Sequence, residues 1–110
     1  MNNLSIADAV ENIFELMEVL DDAYWEANTC EEKDYIYNLA NILVNEYIEL
    51  NKVSVQDHHF EYEVISISQE ALKQALTQFQ LRVPKQIRRQ TTLIKLNSLL
   101  NILMVSITSS

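Results

Sequence analysis

Apolar residues near the start of the chain recur at helical spacing. Ile6, Val10, Ile13, Met17, Leu20, Tyr24 and Ala27 step by four and three without a break, which marks one face of a helix. Ser5, followed three residues later by Asp8, is a capping pattern, so a first helix is expected over about 6–27. Thr29 and Glu32 repeat that pattern and open a second helix over about 30–50. Its apolar residues, Tyr35, Ile36, Leu39, Leu43, Val44, Tyr47, Ile48 and Leu50, cover most of the circumference. Only Asp34, Asn38, Asn41, Asn45 and Glu49 leave a narrow polar stripe, and a helix so apolar is expected at the centre of the fold.

The period then changes. Val53 and Val55 alternate with polar residues, as do Phe60, Tyr62 and Val64, which is the strand signature. A hairpin turning at Asp57-His58 is expected, with a loop carrying one strand as the alternative. Ser66 and Gln69 form a third capping pattern, ahead of a helix over about 69–81 that turns Leu72, Ala75, Leu76 and Phe79 inward. Pro84 suits the first turn of a fourth helix, which runs to about 107 and is apolar nearly all round. The pattern as a whole predicts one mainly α domain over 1–110. It is a four-helix bundle with a small β-hairpin or irregular segment between helices two and three.

The last apolar run is about 15 positions long and is broken by Lys95, Asn97, Ser98 and Asn101. A membrane span needs roughly 20 apolar residues, so no membrane insertion is expected. A helix without a proper wet face belongs in a core or a subunit interface. Homodimerisation through residues 84–107 follows as an expectation.

Composition narrows the chemistry. The chain contains no glycine, and glycine supplies the positive φ angles and close backbone approach of phosphate-binding loops. A Walker loop and a dinucleotide fingerprint are therefore excluded. Asn28 and Asn51, at the ends of the first two helices, are expected to replace glycine as left-handed caps. Cys30 is the single cysteine; an intrachain disulfide is excluded and a reducing, cytoplasmic setting is expected. The start, MNNLSIADAVE, has no basic stretch leading into an apolar run, so no secretory signal is read there. Cys30 lies in the first turn of a helix beside Glu31 and Glu32, which oppose thiolate formation, and reads as an ordinary thiol.

Charge is divided unevenly. Residues 1–63 carry a balance of −13 and residues 64–110 a balance of +5. Asp8, Glu11, Glu15, Glu18, Asp22 and Glu26 step along the first helix by three, four, three, four and four, with no lysine or arginine among them. Like charges at these spacings cost a helix roughly 0.2–0.5 kcal/mol per pair. The ridge reads either as a solvated face or as a surface met by a basic one. That basic surface belongs to this chain, to a dimer mate or to a separate protein, and association would be fast and salt-sensitive. Trp25, beside the ridge and off the apolar stripe, reads as core or core edge ahead of a partner hot spot.

Two further stretches invite chemistry. Residues 69–95 have the outline of a helix-turn-helix, in which Lys85, Arg88 and Arg89 open the second helix where base edges are read. The −13 balance of residues 1–63 opposes phosphate, so nucleic-acid binding stands second. "QDHHFEYE" (56–63) holds both histidines and would place His59, Glu61 and Glu63 on one strand face. It lacks H-x-x-x-H or C-x-x-C spacing and any nucleophile motif. Asp and His tolerate turn geometry, and the stretch reads as a turn. The function expected is a non-enzymatic protein–protein interaction domain without metal or cofactor: an adaptor, inhibitor or assembly factor. It would work as a homodimer and take a basic partner on Asp8, Glu11, Glu15, Glu18, Asp22, Trp25 and Glu26.

Overall fold

The computed structural model describes residues 4–83 and 89–108. Four helices, α1 (Ile6–Glu26), α2 (Cys30–Asn51), α3 (Gln69–Arg82) and α4 (Gln90–Thr108), are joined in chain order, with a one-turn 3-10 helix at Val55–Asp57 between α2 and α3. Each helix packs on its chain neighbours, and α1 against α4 closes the ring. The extents are 42 × 26 × 24 Å. Helices of ~30 Å, at 1.5 Å rise per residue, account for the long dimension.

The caps are local chemistry. Ser5 Oγ accepts from the Asp8 amide at 3.1 Å, and Thr29 Oγ1 accepts from the Glu32 amide at 3.1 Å while donating to the Glu32 carboxylate. The third cap is Ser68, whose hydroxyl accepts from the Ala71 amide. Ser66, the expected cap, is engaged elsewhere. Neither asparagine forms a left-handed cap: no described residue has positive φ. Ala27 ends α1 in an extended conformation, and Lys33 reaches back from α2 to donate to the Tyr24 carbonyl at 2.7 Å. The same carbonyl accepts from the Ala27 amide at 3.3 Å, so lysine and backbone together satisfy this helix-end acceptor. The start of the fourth helix at Pro84 falls outside the described residues.

The core is a set of leucine-rich stripes. Ile13, Leu16 and Leu20 of α1, Ile36, Leu39, Leu43 and Leu50 of α2, Leu72, Leu76 and Phe79 of α3, and Leu96, Leu100 and Leu103 of α4 are buried. Each such side chain contributes about 1.5–3 kcal/mol of transfer free energy. The buried face of α1 is centred on Ala9, Leu16 and Ala23, leaving Val10, Met17 and Tyr24 at its margin. The expectation of a central α2 fails. Tyr37 and Ile48 are exposed, because a ring of four helices asks one stripe of each and gives none of them the middle. On α4, Ile94 and Ile102 likewise face outward.

The expected hairpin is absent from the described residues. The bridge of this region joins Glu61 to Ser5. Ile6 N–H donates to the Phe60 carbonyl at 2.8 Å, Ala7 N–H to the His58 carbonyl at 3.0 Å, and Tyr62 N–H to the Leu4 carbonyl at 2.8 Å. The segment therefore supplies acceptors to first-turn amides of α1, which a helix cannot satisfy internally. The alternation suits a strand folding on itself, yet its partner is the residues before α1. A tight hairpin turn needs positive φ, which a chain without glycine is poorly suited to supply.

Candidate partner-binding face

The acidic ridge forms as its spacing requires. Asp8, Glu11, Glu15, Glu18 and Asp22 are exposed and Glu26 is half-buried. α1 buries a broad arc of its surface, and the ridge lies along the edge of that arc nearest α4. Two continuous grooves follow this seam. One, of about 610 Å³, has Glu15, Glu18 and Asp22 on its α1 wall and Ile94, Lys95 and Leu99 on its α4 wall. The next, of about 420 Å³, is lined by Asp22, Trp25, Glu26, Arg89, Thr92 and Lys95. They share Val19, Asp22 and Lys95.

Basic residues of the same chain therefore stand along the ridge. Among the described residues, however, no ridge carboxylate is in a salt bridge; the ion pair described is Lys52 to Glu49, on the surface of α2. Glu26 is the inner end of the ridge. One of its oxygens accepts from the Thr92 hydroxyl at 2.9 Å. The other is buried without a hydrogen-bond partner. Asn12, buried in the seam, donates to the Leu99 carbonyl at 3.3 Å and helps hold α4 against α1.

Trp25 is neither core nor core edge. It is 74% exposed, held edge-on to Tyr24 at 5.5 Å between centroids. Lys33 Nζ lies 4.3 Å from the Tyr24 ring centre and 5.5 Å from that of Trp25. Its place off the apolar stripe is the informative signal.

Of the alternative nucleic-acid residues, Lys85 and Arg88 lie outside the described residues. Arg89 is exposed and lines the groove that holds Asp22 and Glu26, a wall that repels phosphate. In the 56–63 stretch, His58 is half-buried with Nε2 3.1 Å from the Val53 carbonyl. His59 is exposed and stacks on Phe60 at 4.3 Å. Among the described residues, no group of three or more His, Cys, Asp or Glu side chains is placed to hold a metal ion. No helix there is long and apolar enough to cross a membrane.

One carboxylate escapes a reading of the sequence alone. Glu46 is 1% exposed and is met by four donors. These are the Tyr62 hydroxyl at 2.7 Å, the Ile65 amide at 3.1 Å, and the amide and hydroxyl of Ser66 at 2.8 and 2.6 Å. A buried acid is tolerable only when so satisfied. Burial drives the Tyr62 phenol well above the ordinary tyrosine range, and the hydrogen bond to Glu46 and that group's charge add to the rise. Glu46 continues the buried series Ile36, Leu39, Leu43 and Leu50 at three- and four-residue steps. A carboxylate on an inward stripe is the available signal. Its work is structural: it ties the irregular segment after α2 back onto α2.

Compared with known proteins, the chain matches no family model, no curated protein and no solved structure.

Proposed function

We propose that this chain is a non-enzymatic protein–protein interaction domain that captures a basic partner on the acidic face of α1. The observation that carries this reading is the state of the ridge. Asp8, Glu11, Glu15, Glu18 and Asp22 are exposed without a salt bridge among the described residues, although Lys95 and Arg89 line the same seam. Repulsion along such a ridge costs the helix stability, and a basic partner would relieve it. Ile94, 64% exposed on the α4 wall, adds apolar contact beside the charge. An adaptor, inhibitor or assembly factor works by such capture and needs no catalytic group.

Self-association belongs to the same proposal. Ile102 and Val105, exposed on α4 outside the ridge groove, give its outer side an apolar stripe suited to a second copy. Sedimentation equilibrium tests it: a dimer that Ile102→Asp dissociates supports the stripe as the interface, and a monomer at micromolar concentration removes it.

The capture reading is tested by affinity purification from the source organism's lysate, with and without nuclease. A stoichiometric protein that survives nuclease and releases as salt rises is the expected result, since screening weakens exposed charge pairs. Joint substitution Glu11→Gln, Glu15→Gln and Glu18→Gln should weaken that capture and flatten its salt dependence. Unchanged capture by the triple variant would remove the ridge from the mechanism. Retention of nucleic acid would move Lys85, Arg88 and Arg89 to the front.

A further inference from the structure

Ser98, Ile102 and Val105 follow one another along the outer face of α4 at steps of four and three, and all are exposed. The helix carries no carboxylate, and Lys95 is its one cation. Lys95 stands on the flank turned to α1, where it lines the ridge groove with Glu15 and Glu18. Asn101 stands on the opposite flank, turned to α3, and accepts from Gln80 at 3.4 Å.

α1 runs antiparallel beside α4. Leu4 N–H donates to Ser106 Oγ, Asn12 donates to the Leu99 carbonyl, and the Thr92 hydroxyl donates to Glu26. The start of the ridge, at Asp8 and Glu11, therefore lies beside the second half of α4, away from Lys95. Two copies that meet through one shared face are related by a two-fold axis, and charge selects its direction. In a parallel pair of α4 helices, each Lys95 would stand level with its counterpart. It would also turn to the other copy's α3, which carries Lys73 and Arg82 against Glu70. In an antiparallel pair the axis is perpendicular to the helices, and both α1 helices lie on one side of the pair. Each Lys95 then points at the other copy's α1, at the level where Asp8 and Glu11 open the ridge.

We propose that a second copy packs antiparallel on this face of α4, Ile102 of each copy against Ser98 of the other, with each Lys95 paired to the Asp8–Glu11 end of its mate's ridge. The inference rests on the self-association reading and adds the register of the pair and the charge contact that fixes it. Small Ser98 lets the helices approach, and Val105 lies over the aliphatic stem of its mate's Lys95, whose ammonium continues to the ridge. Both ridges come to one side of the dimer, where Glu15, Glu18 and Asp22 of two copies face a single basic partner.

Sedimentation equilibrium of the full chain tests this, with Ile102→Asp, Lys95→Glu and Glu11→Lys. The wild type should be a dimer that Ile102→Asp dissociates. Lys95→Glu and Glu11→Lys should each weaken the dimer about tenfold, because reversal turns attraction into repulsion at two symmetric contacts. Glu11→Lys lowers the net negative charge and would by itself favour association, so its weakening reports the contact and not the overall charge. A mixture of the two charge variants should form a heterodimer of near wild-type affinity, since every contact across it again joins opposite charges. Rescue by mixing also excludes a folding defect within either chain. A dimer broken by Ile102→Asp but indifferent to both charge reversals would keep self-association and overturn this register. Weakened variants that mixing fails to rescue would overturn it too. A wild-type monomer, or a dimer insensitive to Ile102→Asp, would overturn the proposal together with the self-association reading beneath it.

Discussion

Two sets of carboxylates divide the labour of this molecule. Glu46 is buried and is met by four donors from Tyr62, Ile65 and Ser66. The ridge residues Asp8, Glu11, Glu15, Glu18 and Asp22 of α1 are exposed and have no salt bridge among the described residues. The same functional group thus holds the fold together in one place and strains it slightly in the other. Removing a satisfied buried acid strands its donors without water, whereas removing an exposed repelled acid costs nothing that water does not already supply. Groups that fail to stabilise the chain carrying them are the ones free to act on something else.

The largest effect should come from breaking the buried side. Glu46→Ala leaves the Tyr62 hydroxyl and the amides of Ile65 and Ser66 unsatisfied. The expected loss is about 3 kcal/mol or more, with Tm lower by more than about 10 °C, measurable by urea and thermal denaturation. Glu46→Gln keeps one acceptor and should lose about half as much. A cost for Glu46→Ala no greater than for a ridge substitution would erase the contrast between the two sets.

Tyr62→Phe sharpens the comparison from the donor side. It should cost about 1–2 kcal/mol at neutral pH, because one Glu46 oxygen loses its hydroxyl donor. It should also change the alkaline limb. The folded state holds the phenol protonated above its ordinary value near 10, so the unfolded chain releases that proton first. Wild-type stability is therefore full below about pH 10 and falls above it, by up to about 1.4 kcal/mol per pH unit from this group. Denaturation between neutral and alkaline pH should show a steeper decline in wild type than in Tyr62→Phe. Parallel declines would mean that Tyr62 titrates freely in the fold.

Ser68→Ala removes the α3 cap and should cost about 1 kcal/mol, read by chemical denaturation. Ser66→Ala acts through the Glu46 cluster instead, so combining it with Glu46→Ala should be far from additive, while Ser68→Ala should add fully to either. The smallest effect belongs to the ridge. Glu11→Gln, Glu15→Gln and Glu18→Gln together should raise stability by about 0.5 kcal/mol as like-charge pairs vanish. That gain should shrink as salt is added. A loss of stability would show that the ridge is paired after all.

Much of the fold is legible in residue spacing. Ser5 with Asp8 and Thr29 with Glu32 place two helix starts, and Leu72, Leu76 and Phe79 set the inward face of α3. The departures have a common origin. Ser66, with Gln69 three residues on, has the better capping pattern, yet Glu46 of α2 engages it and Ser68 caps α3 instead. Phe60, Tyr62 and Val64 alternate as a strand does, but which edge they meet depends on the residues before α1. Trp25 follows a residue of the apolar stripe in sequence, whereas its position on the helix turns it to water.

By itself the sequence determined four helices, the capped starts of the first two, the acidic ridge and the exclusion of glycine-dependent nucleotide loops. All of these follow from local chemistry: the 3.6-residue period, side-chain-to-amide hydrogen bonds and the φ angles a residue can adopt. Only the tertiary structure decided which apolar faces of α2 and α4 are buried. It alone seated Glu46 under Tyr62 and Ser66, and it left Trp25 and Tyr37 open to water. Those outcomes depend on which surfaces meet when elements far apart in the chain compete for one core, and residue spacing along a single helix carries no record of its neighbours.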